Sequence, residues 1–171
     1  MTVLIRHAKV EDALEMGTLH TLSWQIAYKG MIKQSFLDEI DAMKRVARWR
    51  EIIAKKPDIQ TILVAELNGK VVGFATGNTH EDYTGRYYLH ALYLHPSYFE
   101  KGIGKNLFDA FKVEALQKGF SQLACTVLTQ NKRAKYFYER EGGVYQPDLD
   151  TEFQTQDGCK YPEQVYFFNG E

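Results

Sequence analysis

The chain has 171 residues, 44% apolar and 25% charged. That composition suits one folded domain able to bury a full core and excludes extended disorder. Twenty-one Lys and Arg against 22 Asp and Glu leave a net charge of −1, which removes the broad basic footprint of a nucleic-acid binder.

Val3 to Arg6 is a short β-prone run. Asp12 and Glu15 then read as an acidic capping box, opening a helix over about 12–27 with Leu14, Leu19, Leu22 and Ile26 at helical spacing; Gly17 weakens it. A second helix is expected over about 35–54, from Phe36 through Ile40, Met43 and Val46 to Ile53, and Pro57 closes it. Two β-branched runs, Thr61 to Leu67 and Lys70 to Ala75, flank Asn68-Gly69, the pairing that a type I′ hairpin turn requires. Tyr87 to His95 is a strand ended by Pro96. The stripe Ile103, Leu107, Phe108, Phe111, Ala115 is a helix ended by Gly119. Leu123 to Val127 is a strand, Asn131 to Glu141 a helix, and Gln164 to Phe168 a last strand after a polar stretch, 146–162. The order is β, two helices, three strands, then α-β-α-β. It predicts a single α/β domain over residues 1–171 with a mixed sheet.

Cys125 and Cys159 stand 34 apart with no CxxC or Cys/His ligand spacing, so neither a disulfide framework nor a metal site is expected. No signal-peptide core and no run of about 20 apolar residues occurs. The expectation is a cytoplasmic protein with no membrane partner.

The segment from Leu92 to Leu107 places strand, Gly102-Ile103-Gly104 loop and helix N-terminus in succession. Unpaired N–H groups at a helix start, with the positive end of its dipole, seat phosphate, and Lys101 and Lys105 add charge beside them. The dinucleotide fingerprint fails because Leu107 stands where a third glycine is needed; a Walker loop fails at Phe99 and Asn106. Alone, such a loop reads first as an ordinary strand-to-helix turn. A second block follows: Asn131, Ala134, Phe137, Tyr138, Glu139 and Gly142 in the spacing N-x-x-A-x-x-F-Y-E-x-x-G.

With both blocks in this order, the chain resembles the GNAT N-acetyltransferases, and Trp24-x-x-x-Tyr28-x-Gly30 resembles the first-helix region of small bacterial members. The resemblance implies a mixed, mostly antiparallel central sheet flanked by helices and splayed at an acyl-CoA site. It implies acetyl-CoA as co-substrate, with an amine acceptor and direct attack of the amine on the thioester. Leu92, Tyr93 and Leu94 are then expected to pair with the pantetheine arm, and Phe99, Glu100, Lys101, Gly102, Ile103, Gly104 and Lys105 to hold the pyrophosphate. Asn131 either caps its helix or bonds the CoA arm. Phe99 departs from the family pattern, which carries Gln or Arg there. Tyr138 matches the family's tyrosine acid; a phenol with a pKa of about 10 is protonated at neutral pH and can meet the departing thiolate. The family's strand carboxylate is missing from Tyr88-Leu89-His90-Ala91-Leu92-Tyr93. Alternation puts Tyr88, His90 and Leu92 on one face; His90, the residue there whose pKa suits a base, reads either as that base, directly or through a held water, or as a hydrogen-bonded core histidine. Trp24 and Tyr28, one helical turn apart, read either as core or as walls of the acceptor pocket with Tyr88. Glu81, Asp82, Asp148, Asp150 and Glu152 read as solvated loop residues, or as an acidic pocket mouth that would favour cationic amines. The resemblance leaves a homodimer open, and the other reading of the chain is a CoA-binding regulatory or interaction module without turnover.

Overall fold

The computed structural model describes residues 2–170. Eight strands are present: β1 Leu4–His7, β2 Thr61–Leu67, β3 Lys70–Thr79, β4 Tyr87–Leu94, β5 Leu123–Leu128, β6 Val144–Tyr145, β7 Thr151–Gln154 and β8 Lys160–Phe168. The helices are α1 Ala13–Ala27, α2 Gln34–Asp38, α3 Ala42–Ala54, α4 Ile103–Gln117 and α5 Lys132–Arg140. The strands form one sheet in the order β1-β2-β3-β4-β5-β8-β6, with β7 paired to β8. Every pairing is antiparallel except β4 with β5.

β2 and β3 are buried along nearly their whole length, so both faces of the sheet are covered. Leu63, Ala65, Val72 and Ala75 pack beneath Ile103, Leu107, Phe108 and Phe111 of α4. The alternate residues Ile62, Val64 and Phe74 meet Met16 and Leu19 of α1 and Trp49 of α3 on the other face. Asn68 (φ 51°) and Gly69 (φ 77°) are both left-handed, as a type I′ turn between β2 and β3 requires.

Three local expectations are corrected. The Asp12 capping box does not form: Asp12 receives both Nη atoms of Arg6 at 2.8 and 2.9 Å and the Lys9 N–H at 2.7 Å, while Glu15 accepts from the Val71 N–H at 2.9 Å. The ion pair with Arg6 outcompetes the helix end for that carboxylate. The helix expected over 35–54 breaks into α2 and α3, because Asp41 accepts from Met43 and Lys44 N–H at 2.9 and 3.2 Å and starts a new helix. Met43, counted in the apolar stripe, is 63% exposed. The polar stretch 146–162 contains β7, and β8 begins at Lys160, four residues before the expected start. β7 is largely exposed, so its strand lacks apolar alternation.

One irregularity positions the site. Ala91 pairs with Thr76 and Leu89 with Gly77, leaving His90 as the extra residue of a β-bulge. A bulge bends its strand and sharpens the twist. On the other side, β4 pairs with β5 only at Tyr87, Tyr88 and Leu89. Past that point the sheet is split, and β5 continues with β8 alone. The bulge also reverses the alternation: Leu92 packs into the core beneath α4 with Leu89, whereas Tyr88 packs with Tyr83, Ala124 and Val165. The expected shared face of Tyr88, His90 and Leu92 is therefore not formed.

Gly17 marks where α1 crosses α3: a Cβ there would stand 2.6 Å from the Val46 backbone N and its Cγ2. Gly17→Ala is expected to lower stability by about 1–3 kcal/mol through overpacking, reversing the gain of about 1 kcal/mol at an exposed helical site. Urea unfolding midpoints of the two proteins check this.

Candidate active site

The split between β4 and β5 opens into a cleft of about 830 Å³. Because the gap runs through the sheet, it collects side chains from both faces: the α4–α5 side at one end and the α1 side at the other. Trp24, Tyr28, Tyr88, His90, Leu92, Tyr93, Leu94, Phe99, Glu100, Gly102, Gly104, Lys105, Asn131 and Tyr138 all line it. Two expected residues do not. Lys101 extends over the Tyr98 ring, its Nζ 5.4 Å from the ring centre. Ile103 is 1% exposed in the core, so only its backbone N–H can reach a ligand.

The backbone of β4 faces the gap at alternate residues. The His95 N–H donates to Val72 O at 2.8 Å, and hydrogen-bonded positions recur every second residue of an antiparallel pair. Tyr93 therefore turns its backbone groups toward Phe74 of β3, and Leu92 and Leu94 turn theirs toward the space that β5 has left. These are the free strand edges at the cleft wall.

At the loop end, Glu100 (φ 62°) and Gly102 (φ 81°) are left-handed, and Gly102 caps α4. Gly104 differs. Its φ is not positive, and a Cβ there would meet only Phe137 at ordinary contact of 3.6 Å. Nothing in the protein requires glycine at 104, and its bare side faces the cleft. Lys105 is ion-paired with Asp109 at 2.7 Å, 3.7 Å from Glu141. The Arg133 guanidinium of α5 lies 3.5 Å over the Phe99 ring, a cation–π stack that brings a charge to the position where the loop itself has none. Asn131 caps α5 through Oδ1, accepting from the Ala134 N–H at 3.2 Å, which leaves its Nδ2 donors for the cleft.

Tyr138 is 8% exposed and packs edge-on against Phe108 and Phe168. Burial holds its phenol well above the usual range, with nearby Cys125, Tyr93 and Tyr88 adding to the effect. It stays protonated at neutral pH. His90, on the bulge, lies 4.6 Å from the Tyr88 ring and 6.4 Å from His80. Its imidazole is held below the usual value, by burial first and by His80 second, so it is a free base at neutral pH. Cys125 is buried with its thiol pushed up, an inert core residue.

The α1 end is walled by rings. Trp24 stands edge-on to Tyr28 and Phe153 at 5.0 and 5.6 Å, and its Nε1 donates to the Tyr93 hydroxyl at 2.9 Å. The Tyr28 and Tyr93 hydroxyls are 3.4 Å apart. Beneath this wall, His20 stacks on Tyr93 at 5.1 Å and accepts from Trp49 Nε1 at 3.2 Å.

A split parallel pair, free strand edges and a glycine-capped helix end are the elements the two sequence blocks led us to expect, and a family model confirms the assignment over residues 4–143. The chain belongs to the acetyltransferase (GNAT) family. It is an acetyl-CoA-dependent N-acetyltransferase. Among relatives, it is 29% identical to the uncharacterized N-acetyltransferase YuaI of Bacillus subtilis (strain 168), over 75% of this chain and 73% of that protein. It is likewise 29% identical to the L-amino acid N-acyltransferase MnaT of Escherichia coli (strain K12), over 67% of each. The PaiA N-acetyltransferase of Thermoplasma acidophilum, solved in complex with coenzyme A, shares the fold with a TM-score of 0.77 at 23% identity, each chain fully covered. No helix among the described residues is long and apolar enough to cross a membrane.

The lining residues not singled out in the sequence include Thr126, Arg133, Phe153 and Glu163. Arg133 occupied an unconstrained position of the second block. Phe153 and Glu163 lay in or beside the stretch read as polar loop, and extending β8 back to Lys160 puts Glu163, Val165 and Phe167 in alternation. The acidic residues considered for the pocket mouth, Glu81, Asp82, Asp148, Asp150 and Glu152, do not line the cleft; Glu163, half-buried on β8, does.

Burial, and then Arg45, depress His20 to about 3. Its folded value lies below its unfolded one, so the unfolded chain takes up the proton first as pH falls. The stability involved is complete above pH 6.5 and is lost progressively toward pH 3, on the order of a few kcal/mol. His20→Phe is expected to flatten that acid loss; denaturant titrations of both proteins at pH 7 and pH 4.5 measure it.

Proposed function

We propose that the protein acetylates a primary amine by direct attack on acetyl-CoA held in the split between β4 and β5. The observation that carries this reading is that Tyr138, Leu92 and the glycine-capped end of α4 converge on one cleft that passes through the sheet. The pyrophosphate is taken by the backbone N–H groups of residues 101–104, with Lys105 and Arg133 supplying charge. Phe99 contributes by stacking on Arg133, so the cation comes from α5 instead of the loop. The pantetheine arm pairs with the free backbone groups of Leu92 and Leu94 and with Asn131 Nδ2, and the Leu92 N–H polarises the thioester oxygen.

The acceptor enters from the α1 end, between Trp24, Tyr28 and Tyr88. His90, or a water that it holds, removes the amine's proton. Tyr138 serves the departing sulfur. A thiol has a pKa of about 8.5, well below that of a buried phenol, so full transfer from Tyr138 lags behind C–S cleavage. The hydroxyl stabilises the developing thiolate first by donating a hydrogen bond. This is the role of a proton donor that never ionises in the resting enzyme.

Two measurements test the reading. Tyr138→Phe keeps the ring packing and is expected to lower kcat about 100-fold or more, with acetyl-CoA affinity nearly unchanged; a parental kcat at saturating substrates excludes the acid role. Arg133→Ala is expected to weaken acetyl-CoA binding by about tenfold or more, the scale of a charged hydrogen bond, and to flatten its salt dependence. Isothermal calorimetry at two salt concentrations reads both.

A further inference from the structure

Glu163 is a half-buried carboxylate of the cleft, and the reaction as described above does not use it. It stands on β8 opposite Leu128 of β5, on the face shared with Thr126 and Val165. Burial holds its carboxyl above the usual range, and a hydrogen bond from Thr126 partly offsets that. The Thr126 hydroxyl also shares a hydrogen bond of 2.7 Å with the Tyr88 hydroxyl. Tyr28, Tyr88 and Tyr93 all lie close enough to Glu163 to feel its charge. The carboxylate thus sits in a chamber whose wall carries the rings of Trp24, Tyr28, Tyr88 and Phe153 beside aliphatic Ile26, Ile32 and Leu128.

The cations of the cleft are all elsewhere. Lys105, Arg133 and Arg140 line its α4–α5 end. Arg45, close to the α1 end, is turned over the Trp24 ring at 4.7 Å, donates to the His20 carbonyl at 3.0 Å, and does not line the cleft. Among the described residues, no Lys or Arg lines the α1 end.

We infer that Glu163 is the counter-charge for the acceptor's ammonium group, and that the acceptor is a primary alkyl- or arylalkylamine carrying no carboxylate. This rests on the acyl-transfer reading and narrows its substrate class. A carboxylate buried without a cationic partner is unfavourable until a cation arrives. Aromatic faces around it attract an ammonium and receive its hydrocarbon body. An amino acid would bring a second carboxylate into a chamber that already holds one and offers no guanidinium to bind it, so it is rejected by repulsion as well as by lack of a partner. This chamber therefore points away from the acceptor class that the name of MnaT gives for that protein.

The test uses matched pairs that differ only in the carboxylate: phenethylamine with L-phenylalanine, and pentylamine with L-norleucine. CoA release from acetyl-CoA gives turnover, and calorimetry gives direct binding of each compound and of acetyl-CoA. The expected result is a kcat/KM at least 100-fold higher for the amine of each pair. Glu163→Gln, close in shape, is expected to raise the amine KM and Kd more than tenfold, to change kcat less, and to leave acetyl-CoA affinity unchanged. Amino acids used as well as their amines, or amine binding indifferent to Glu163→Gln, overturns the assignment. Failure of the acyl-transfer reading itself looks different: acetyl-CoA does not bind and no acceptor releases CoA, whereas amine binding still reports on Glu163.

Discussion

The parallel ladder between β4 and β5 holds for three residue pairs, ending at Leu89 and Cys125, and then stops. A strand edge left unpaired inside a protein is costly, since each bare N–H and C=O wants a partner. Here the edge borders an open cleft, so water or an extended ligand can satisfy it. The His90 bulge is the local cause. It adds one residue to β4 against β3, bends the strand, and swaps which side chains face α4. One inserted residue thereby separates the strands, re-aims Leu92 and leaves an imidazole on the cleft wall.

A gap that passes through the sheet also divides the chemistry. Basic groups gather where α4 and α5 approach the loop, and the half-buried Glu163 lies beyond the split on β8. Two substrates of opposite charge can then enter from opposite faces without competing for the same partners. Net charge of the chain carries no trace of this arrangement, because it sums 21 Lys and Arg against 22 Asp and Glu over the whole molecule. The aromatic share, 13% of residues, divides in a similar way. Phe108, Phe111 and Phe168 are core, whereas Trp24, Tyr28 and Phe153 surround space that a ligand can occupy.

What could be read in advance followed from local rules. The Asn68-Gly69 turn, the α4 stripe and the Asn131 cap each depend on a few neighbouring residues, and each formed as expected. Fourteen of the residues singled out for the site line the cleft. The misses required non-local knowledge. Asp12 answered Arg6 instead of its own helix end. The break at Asp41 is a capping choice inside a stretch whose periodicity continued through it. β7 is exposed, so no apolar alternation announces it, and without β7 there is no reason to begin β8 at Lys160 or to place Glu163 on a strand. The bulge at His90 is visible only in register with β3, and an alternation argument made on β4 alone assigns Leu92 to the wrong face.

The loop position at Phe99 shows how far a motif and a site can diverge. Read along the chain, an aromatic residue where charge is customary suggests a weakened anion site. In space, the ring is a platform: it holds the Arg133 guanidinium at 3.5 Å, and a planar cation stacked on an aromatic face keeps its N–H edges directed outward. A flexible cation on the loop itself loses more side-chain entropy when it is ordered around a ligand than one already fixed by stacking. What a phosphate group meets is charge at a point, and two elements distant in sequence can supply it together. The same holds for the carboxylate: β4 lacks one, and β8 presents Glu163 to the same cleft from the far side of the split.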